Sequence, residues 1–186
     1  PLAKAIEPIV EEWSKNNYTA VKGKEITWVT LELFKWWFTA DVHEGEKFHF
    51  CQKKAIESIV YCYEILGIPI VKELFYEFAK NLLKEQDNLR KAVEDIDYSR
   101  YGVKMATGTG KTRVSMAIID ALIRARYMQN VLFVVDRISL GRQAYNAFDS
   151  FLRGEPKTLL NEFGDFEMDK RMYTSTVQTL KSKRNE

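Results

Sequence analysis

The segment MATGTGKT at residues 105–112 decides how this chain folds. Its first residue ends a short predicted strand at residues 101–105, and an amphipathic stretch that is predicted to be a helix follows it to about Tyr127. A strand, a glycine-bearing turn and a helix in this order can hold a polyphosphate, because backbone N–H groups curl around the anion and the helix N-terminus adds partial positive charge. Gly108 and Gly110 permit the tight turn and leave no side chain in the way. The segment therefore predicts a phosphate-binding loop.

Two side chains after these glycines have the chemistry that a bound nucleoside triphosphate needs. Lys111 can reach the β- and γ-phosphates, and the Thr112 hydroxyl can bind Mg²⁺. The segment departs from the strict pattern G-x-x-x-x-G-K-[ST], because Met105 stands where the first glycine belongs. The alternative is a glycine turn with a solvated lysine. It is disfavoured because the strand, the turn, Gly-Lys-Thr and the helix coincide.

The sequence after this loop alternates between strand and helix patterns. The run VLFVV at residues 131–135 is typical of a parallel strand that is covered on both faces. A helix is predicted from Ser139 to about Leu152, and a further strand at residues 172–175. Strands and helices that alternate over this length imply a parallel sheet with right-handed crossovers. We therefore predict an α/β fold with helices on both faces of the sheet.

The residues before this sheet have helical patterns instead. Apolar side chains recur at helical spacing in stretches that begin near Leu2, Ile26, His49 and Val71. Gly67 and Pro69 are predicted to end the third of these helices. The charged residues 84–97 favour a solvated helix and a linker. Residues 1–47 are thus predicted to be a helical lead-in, and residues 48–100 a helical segment with a linker.

The composition excludes several classes of protein. The chain is 46% hydrophobic and 29% charged, as in globular proteins that bury a core. Its net charge of +2 argues against a polybasic or acidic tail as the main activity, although a local basic face remains compatible with it. No uncharged run approaches the roughly 18 apolar residues that cross a bilayer. Cys51 and Cys62 lack metal-ligand spacing and favour reduced thiols in a cytoplasmic protein.

Three segments resemble superfamily 2 helicases, in the form found in the motor subunits of restriction enzymes. Residues 105–112 resemble motif I of these proteins. The stretch VLFVVDRISLGRQAYNAF at residues 131–148 looks like motif Ia of type I restriction R subunits, and YTSTVQTL at residues 173–180 looks like the family's next motif. Residues 68–100 look longer than in typical type I subunits and are similar to type III-like helicases. The resemblance implies that residues 101–186 are the front half of a RecA-like ATP-binding lobe.

The resemblance also implies a site for ATP and Mg²⁺. The stretch FHFCQ at residues 48–52 resembles the glutamine motif, in which an aromatic ring packs near the base and an amide reads the adenine edge. A side-chain amide offers both a donor and an acceptor for this purpose. Gln52 would take that role, with Phe48 or Phe50 as the stacking partner; the alternative is a helix N-terminus with an incidental glutamine. Lys111 and Thr112 would be catalytic, and Thr112 the Mg²⁺ ligand. The predicted nucleotide-binding residues are Phe48, Gln52, Thr107, Gly108, Thr109, Gly110, Lys111, Thr112 and Arg113.

The matching segments in the family touch the DNA backbone. Here the corresponding residues follow the carboxyl ends of predicted strands, where α/β sheets place ligands. Backbone N–H groups and hydroxyls can hold phosphates without reading the base sequence. For Arg137 the alternative is a salt bridge at a strand end. The predicted DNA-binding residues are Arg137, Gln143, Thr174, Ser175 and Thr176.

The sequence lacks some parts of a complete motor. No apolar strand that ends in an Asp-Glu pair follows Leu180, and no second lobe with an arginine finger is present. We therefore expect a piece of a longer protein: the ATP-binding part of a DNA-translocating motor that resembles the R subunit of a type I or type III-like restriction endonuclease, inactive on its own. The implied partners are double-stranded DNA and modification and specificity subunits, in the cytoplasm and without a membrane. Two alternatives remain. One is another superfamily 2 RNA or DNA helicase or remodeller, and the other is a regulatory module that binds nucleotide without hydrolysing it.

Overall fold

The computed structural model describes residues 2–39, 48–67, 69–94, 110–152, 154, 156–159 and 170–184. The chain divides into two compact units, residues 1–109 and residues 110–186. The first unit is helical, and the second contains a parallel sheet with helices. The predicted class, a helical region followed by part of an α/β fold, is therefore confirmed. The finer domain boundaries given above stay predictions.

The first unit is built from helices. In its described part these are α1 (Leu2–Lys15), α2 (Trp28–Phe38), α3 (Phe50–Val60), α4 (Val71–Phe78), α5 (Lys80–Glu85) and α6 (Asp87–Glu94). A π-helix at Tyr61–Ile65 continues α3, and Gly67, with a φ of 75°, follows it. The predicted end of this helix is confirmed, because that left-handed conformation suits glycine. The π-helix itself was not predicted, because its wider turn does not produce a recognisable spacing of apolar residues.

Two buried carboxylates fasten the first two helices to the third. Ser14 Oγ and Tyr18 Oη donate hydrogen bonds of 2.7 and 2.6 Å to Glu57 Oε1. The backbone N–H of Thr27, at the start of α2, donates one of 2.6 Å to Glu64 Oε2. A buried charge is costly unless it is paired or hydrogen-bonded. Glu57 also has the Lys53 ammonium at 3.6 Å, and Glu64 accepts further hydrogen bonds from the hydroxyls of Thr27 and Thr30.

The charged stretch after α4 is not entirely solvated. Val93 of α6 is buried in a cluster with Phe75, Ala79 and Leu83. The prediction of a helix is confirmed as far as Glu94, where the described part ends, but this helix contributes to a core.

The second unit contains a three-stranded sheet in its described part. Its elements are α7 (Lys111–Arg124), β1 (Val131–Val135), α8 (Ile138–Phe151), β2 (Lys157–Leu159), β3 (Met172–Thr176) and α9 (Val177–Arg184). The strands are all parallel and lie in the order β1-β3-β2. The predicted strands at 131–135 and 172–175 are confirmed. The short strand β2 was not predicted, because three residues after Pro156 carry no recognisable apolar pattern.

The core of this unit lies between the sheet and two helices. Met116 of α7, Phe148 of α8 and Met172 of β3 are fully buried in one cluster. Val131 and Phe133 pack against that cluster, whereas Leu132 and Val134 on the other face of β1 are 45% and 44% exposed. In the part of the chain that the structure describes, β1 is thus covered on one face, and the expected burial of its second face is not seen.

Candidate nucleotide and nucleic-acid site

Gly110 marks the start of α7 and has a left-handed backbone. Its φ is 72° and its ψ is 41°, a conformation that costs about 1–2 kcal/mol for a residue with a Cβ atom. The Val114 N–H donates a hydrogen bond of 3.1 Å to the Gly110 carbonyl, which is the first hydrogen bond of the helix. The backbone N–H groups ahead of Val114 therefore belong to the N-terminal turn, the part of a helix that attracts anions.

Lys111 and Thr112 lie in this first turn. The Lys111 side chain is exposed, and the side chains of Thr112 and Arg113 are half-buried. The Ser115 hydroxyl donates a hydrogen bond of 3.1 Å to the Lys111 carbonyl and so reinforces the turn. An ammonium and a hydroxyl are thus carried on successive residues at the positive end of a 14-residue helix.

The direction of α7 follows from its connection to β1. Only a short segment separates Arg124, at the end of the helix, from Val131, at the start of the strand, and the helix packs against the same sheet. The N-terminus of α7 therefore points toward the carboxyl ends of the strands, where open α/β sheets bind ligands. Thr107, Gly108 and Thr109, together with the predicted strand at residues 101–105, lie outside the described residues.

Gln52 is held at the start of α3. Its side chain is 3% exposed, and its Oε1 accepts a hydrogen bond of 2.8 Å from the His49 N–H. Glutamine at the third position of a helix commonly stabilises the N-terminus in this way. The amide oxygen therefore has a structural role, and the reading of adenine stays a prediction.

The two aromatic candidates beside Gln52 are in different environments. Phe48 is half-buried, with its ring 5.8 Å from that of Phe38 and 5.9 Å from that of Trp37. Phe50 is 71% exposed, and the Lys54 ammonium lies 4.7 Å from its ring centre. Because side chains two residues apart project about 200° apart around a helix, Phe50 and Gln52 cannot lie against the same base. The geometry favours Phe48 as the stacking partner.

The start of α8 presents polar side chains to solvent. Arg137 immediately precedes the helix with a side chain that is 77% exposed, and its Nε lies 3.5 Å from Asp136 Oδ2. Gln143 is also exposed. The salt bridge considered as an alternative for Arg137 is therefore present, but exposed pairs of this kind are weak and leave an arginine available to other anions.

The hydroxyl residues of β3 are buried. Thr174, Ser175 and Thr176 are 0%, 1% and 6% exposed. Thr176 Oγ1 accepts a hydrogen bond of 3.2 Å from the Thr179 N–H and so caps α9. In this conformation their side chains cannot reach a DNA phosphate. The contact role stays a prediction, and backbone groups at the start of α9 are the ones placed to fulfil it.

The sheet brings the starts of α8 and α9 side by side. Val135 and Thr176 are register partners at the carboxyl ends of the adjacent parallel strands β1 and β3. Arg137 follows the first of these strands, and Val177 begins α9 directly after the second. Two helix N-termini and an exposed guanidinium thus share one edge of the sheet, and helix N-termini favour anions.

Neither a metal-binding cluster nor a transmembrane helix is found in the described residues. No group of three His, Cys, Asp or Glu side chains among them is arranged to hold a metal ion. None of their helices is both long enough and apolar enough to cross a membrane. Asp165, Glu167 and Asp169, the acidic residues nearest to β3, lie outside the described part.

The fold and this edge define an α/β protein with a parallel sheet whose helices begin at the carboxyl ends of the strands. Residues 46–186 match the family model described as "Type III restriction enzyme, res subunit", and the chain belongs to that family. The predicted resemblance to the superfamily 2 motors of restriction enzymes is thereby confirmed.

One relative shows the likeness to type I systems. Over 84 residues the chain is 40% identical to the type I restriction enzyme EcoKI endonuclease subunit of Escherichia coli (strain K12). The matched region covers 41% of this chain and 7% of that protein, so the chain spans a small part of the relative it matches. No solved structure matches the chain.

Proposed function

We propose that this chain is the nucleotide-binding part of an ATP-dependent, DNA-translocating motor of the restriction type. Membership of the family supports the class of motor. The observation that carries nucleotide binding is the left-handed Gly110 directly ahead of α7, with Lys111 and Thr112 in the first turn of that helix.

The described residues fit a nucleotide with its metal ion. The Lys111 ammonium would contact the β- and γ-phosphates, since charge-assisted hydrogen bonds to phosphate are strong. The half-buried Thr112 hydroxyl would be one ligand of Mg²⁺, which when bound neutralises charge on the phosphate oxygens. Gly110 lets the backbone approach the anion without a side chain in between. Thr107, Gly108, Thr109 and Arg113 are proposed to complete the contacts.

Adenine recognition is proposed for Gln52 and Phe48. The Oε1 of Gln52 accepts from the His49 N–H, so the base would have to use the second lone pair of that oxygen or the amide N–H groups. Because Phe48 packs against Phe38 and Trp37, its ring is held in place before a base arrives.

We propose that the edge of the sheet at which α8 and α9 begin binds the backbone of double-stranded DNA. Arg137 and Gln143 would contribute side chains, and the 174–176 segment would contribute through the N-terminus of the helix that it caps. Contacts of this type position a strand without reading its sequence, as a translocating motor requires. Modification and specificity subunits are proposed as further partners, and the cytoplasm as the location, by analogy with the type I relative.

Isothermal titration calorimetry with ATP and Mg²⁺ tests the nucleotide site. We expect Lys111→Ala to weaken binding more than tenfold, because it removes a charge-assisted contact worth roughly 1.5–3 kcal/mol. Lys181→Ala, an exposed lysine of α9 in the same unit, is the matched control and should bind as the unmodified chain does. Equal affinities for all three proteins would contradict the proposal. Hydrolysis by residues 1–186 alone is expected to stay near background, because the sequence supplies no Asp-Glu pair after β3 and no arginine finger.

A further inference from the structure

The helical unit contains a cavity of about 390 Å³ that the proposed function does not use. It lies between α1, a turn at residues 21–24, the π-helix and α4. Cavities of roughly 300–1,000 Å³ with mostly apolar walls are typical of small-molecule sites. The apolar part of this wall is formed by Ile9, Val21, Ile65, Leu66 and Phe78.

The Tyr61 hydroxyl is a hydrogen-bond donor in the wall of the cavity. The side chain is 2% exposed, and within the described ranges its hydroxyl makes no hydrogen bond. Burial and the nearby Glu77 carboxylate raise the pKa of this phenol, so it keeps its proton at neutral pH. The hydroxyl oxygen is not enclosed by protein, and Tyr61 lines the cavity, so a ligand acceptor can replace water there.

The Lys24 ammonium is the second donor. Among the residues that the structure describes it forms no ion pair, and it lies so close to Gly67 that a Cβ atom there would be 3.1 Å from its Nζ. Lys22, on the same turn, is paired with Glu77 at 3.0 Å. The carboxylate in the wall is thus already neutralised, and Lys24 leaves the cavity with a positive charge.

The backbone at both donor residues has a defined conformation. Lys22 and Gly23 have φ values of 50° and 77°, and Val21 and Lys24 exchange backbone hydrogen bonds of 2.9 and 3.0 Å across this turn. Two consecutive positive φ values are characteristic of the tight type I′ hairpin turn. Tyr61 begins the π-helix, an irregularity that proteins often use at functional sites. The backbone that carries the ammonium and the phenol is therefore ordered before any ligand binds, and the exposed Lys24 side chain can adjust to the ligand.

We propose that this cavity binds a small apolar carboxylate. The apolar body of the ligand occupies the wall formed by Ile9 and its neighbours, and its carboxylate accepts hydrogen bonds from Tyr61 and Lys24. A neutral ligand satisfies the two donors less well, and a cation is repelled by Lys24. The inference goes beyond the proposed motor function, because α1 and the 21–24 turn precede the matched residues 46–186.

Calorimetry of the whole chain with octanoate, 1-octanol and octylammonium tests this inference. The three probes share an alkyl chain and differ in the head group. We expect octanoate to bind at least tenfold more tightly than octanol, and octylammonium not to bind. Lys24→Gln should weaken octanoate binding about tenfold or more, since hydrogen bonds to charged groups are worth roughly 1.5–3 kcal/mol. Tyr61→Phe should weaken it several-fold.

Two further variants make the result decisive. Lys4→Gln removes an exposed lysine of α1 outside the cavity wall and should leave octanoate binding unchanged. Lys24→Arg keeps the charge and should retain most of the affinity, and circular dichroism of each variant confirms that it is folded. The proposal is overturned if octanoate does not bind, if octanol binds equally well, or if Lys24→Gln and Tyr61→Phe bind octanoate as the unmodified chain does. ATP affinity is independent of all these outcomes, so the motor proposal is tested separately.

Discussion

At the residue scale, Gln52 combines a structural role with a proposed role in recognition. The oxygen that would face adenine already accepts a hydrogen bond from the His49 backbone, and the side chain is almost fully buried. The sequence offered both interpretations, because a glutamine near a helix start suits either. A substitution that removes the whole side chain would disturb both roles at once.

Replacing Gln52 with glutamate separates these roles. Gln52→Glu keeps an acceptor for the His49 N–H but loses the amide donors, so we expect the preference for ATP over GTP to narrow while the helix cap is retained. Gln52→Ala should also lose stability, by about 0.5–2 kcal/mol, because the cap is removed. Competition binding measures the preference, and urea denaturation measures stability. An unchanged ATP preference in both variants would leave Gln52 with its capping role alone.

Gly110 allows a similar separation. Gly110→Ala places a Cβ atom on a left-handed backbone, which should cost about 1–2 kcal/mol of stability and reduce ATP affinity. Gly154 has a φ of 89° with open space around it, so Gly154→Ala imposes a comparable backbone cost away from α7. We expect the two variants to be similarly destabilised in urea, while only Gly110→Ala binds ATP more weakly. Equal ATP affinities would show that the turn does not touch the phosphates.

At the element scale, strong apolar patterns in the sequence were sufficient to predict a strand or a helix, and weak patterns were not. The run VLFVV predicted β1 because five consecutive apolar residues between turns suit a parallel strand. The sequence has no comparable pattern at β2. Its residues Lys157–Leu159 are a strand because their backbone pairs with that of β3. The π-helix was not predicted either, because one extra residue in a turn hardly alters the spacing of apolar residues.

Burial was harder to predict than element type. Leu132 and Val134 are as apolar as their neighbours but are exposed, whereas Ser175 is polar and almost completely buried. The central position of β3 between two strands decides this, and strand order cannot be read from a single strand's composition. The candidate DNA contacts were consequently assigned to hydroxyl side chains that the sheet encloses.

The edge formed by α8 and α9 can be tested with two arginines near opposite ends of β1. Arg137 follows the carboxyl end of that strand, and Arg126, also exposed, precedes its amino end. We expect Arg137→Gln to weaken binding to a non-specific duplex and to lower the salt dependence by about one counterion, since one phosphate contact is lost. The unmodified chain should bind in the range of roughly 10⁻⁴–10⁻⁶ M.

Arg126→Gln is the control for this measurement, because it removes the same charge from the other end of the strand. Fluorescence anisotropy at several salt concentrations should show little change for it. Equal losses for both variants would mean that net charge, and not the edge, determines binding. Nanomolar binding to one particular DNA sequence would also contradict the assignment.

At the scale of the whole molecule, buried phenol and thiol groups make stability sensitive to alkaline pH. Burial raises the pKa of Cys62 from 9.0 to about 11, and burial also raises the pKa values of Tyr18, Tyr61 and Tyr63. In the unfolded chain these groups lose their protons first. The folded state therefore binds more protons at high pH, and stability falls as pH rises.

We expect the free energy of unfolding to decrease between pH 8 and pH 10, a window that begins near the unfolded pKa of Cys62 and ends below its folded value. Cys62→Ala should reduce this decrease, because the titrating thiol is gone. Cys51→Ala is the matched control, since that thiol is exposed, and it should leave the decrease unchanged. Guanidinium denaturation at both pH values measures the difference. A flat profile in the unmodified chain would contradict this account.

The strand order β1-β3-β2 also has a consequence for the moment of biosynthesis. The strand that is translated last of the three occupies the centre, and both earlier strands pair with it rather than with each other. While the ribosome is still short of Met172, Val131–Val135 and Lys157–Leu159 have no described strand to pair with. The three strands therefore pair late in translation. Until then the apolar segment Val131–Val135 has unpaired backbone groups, and it must be kept from aggregating with other chains.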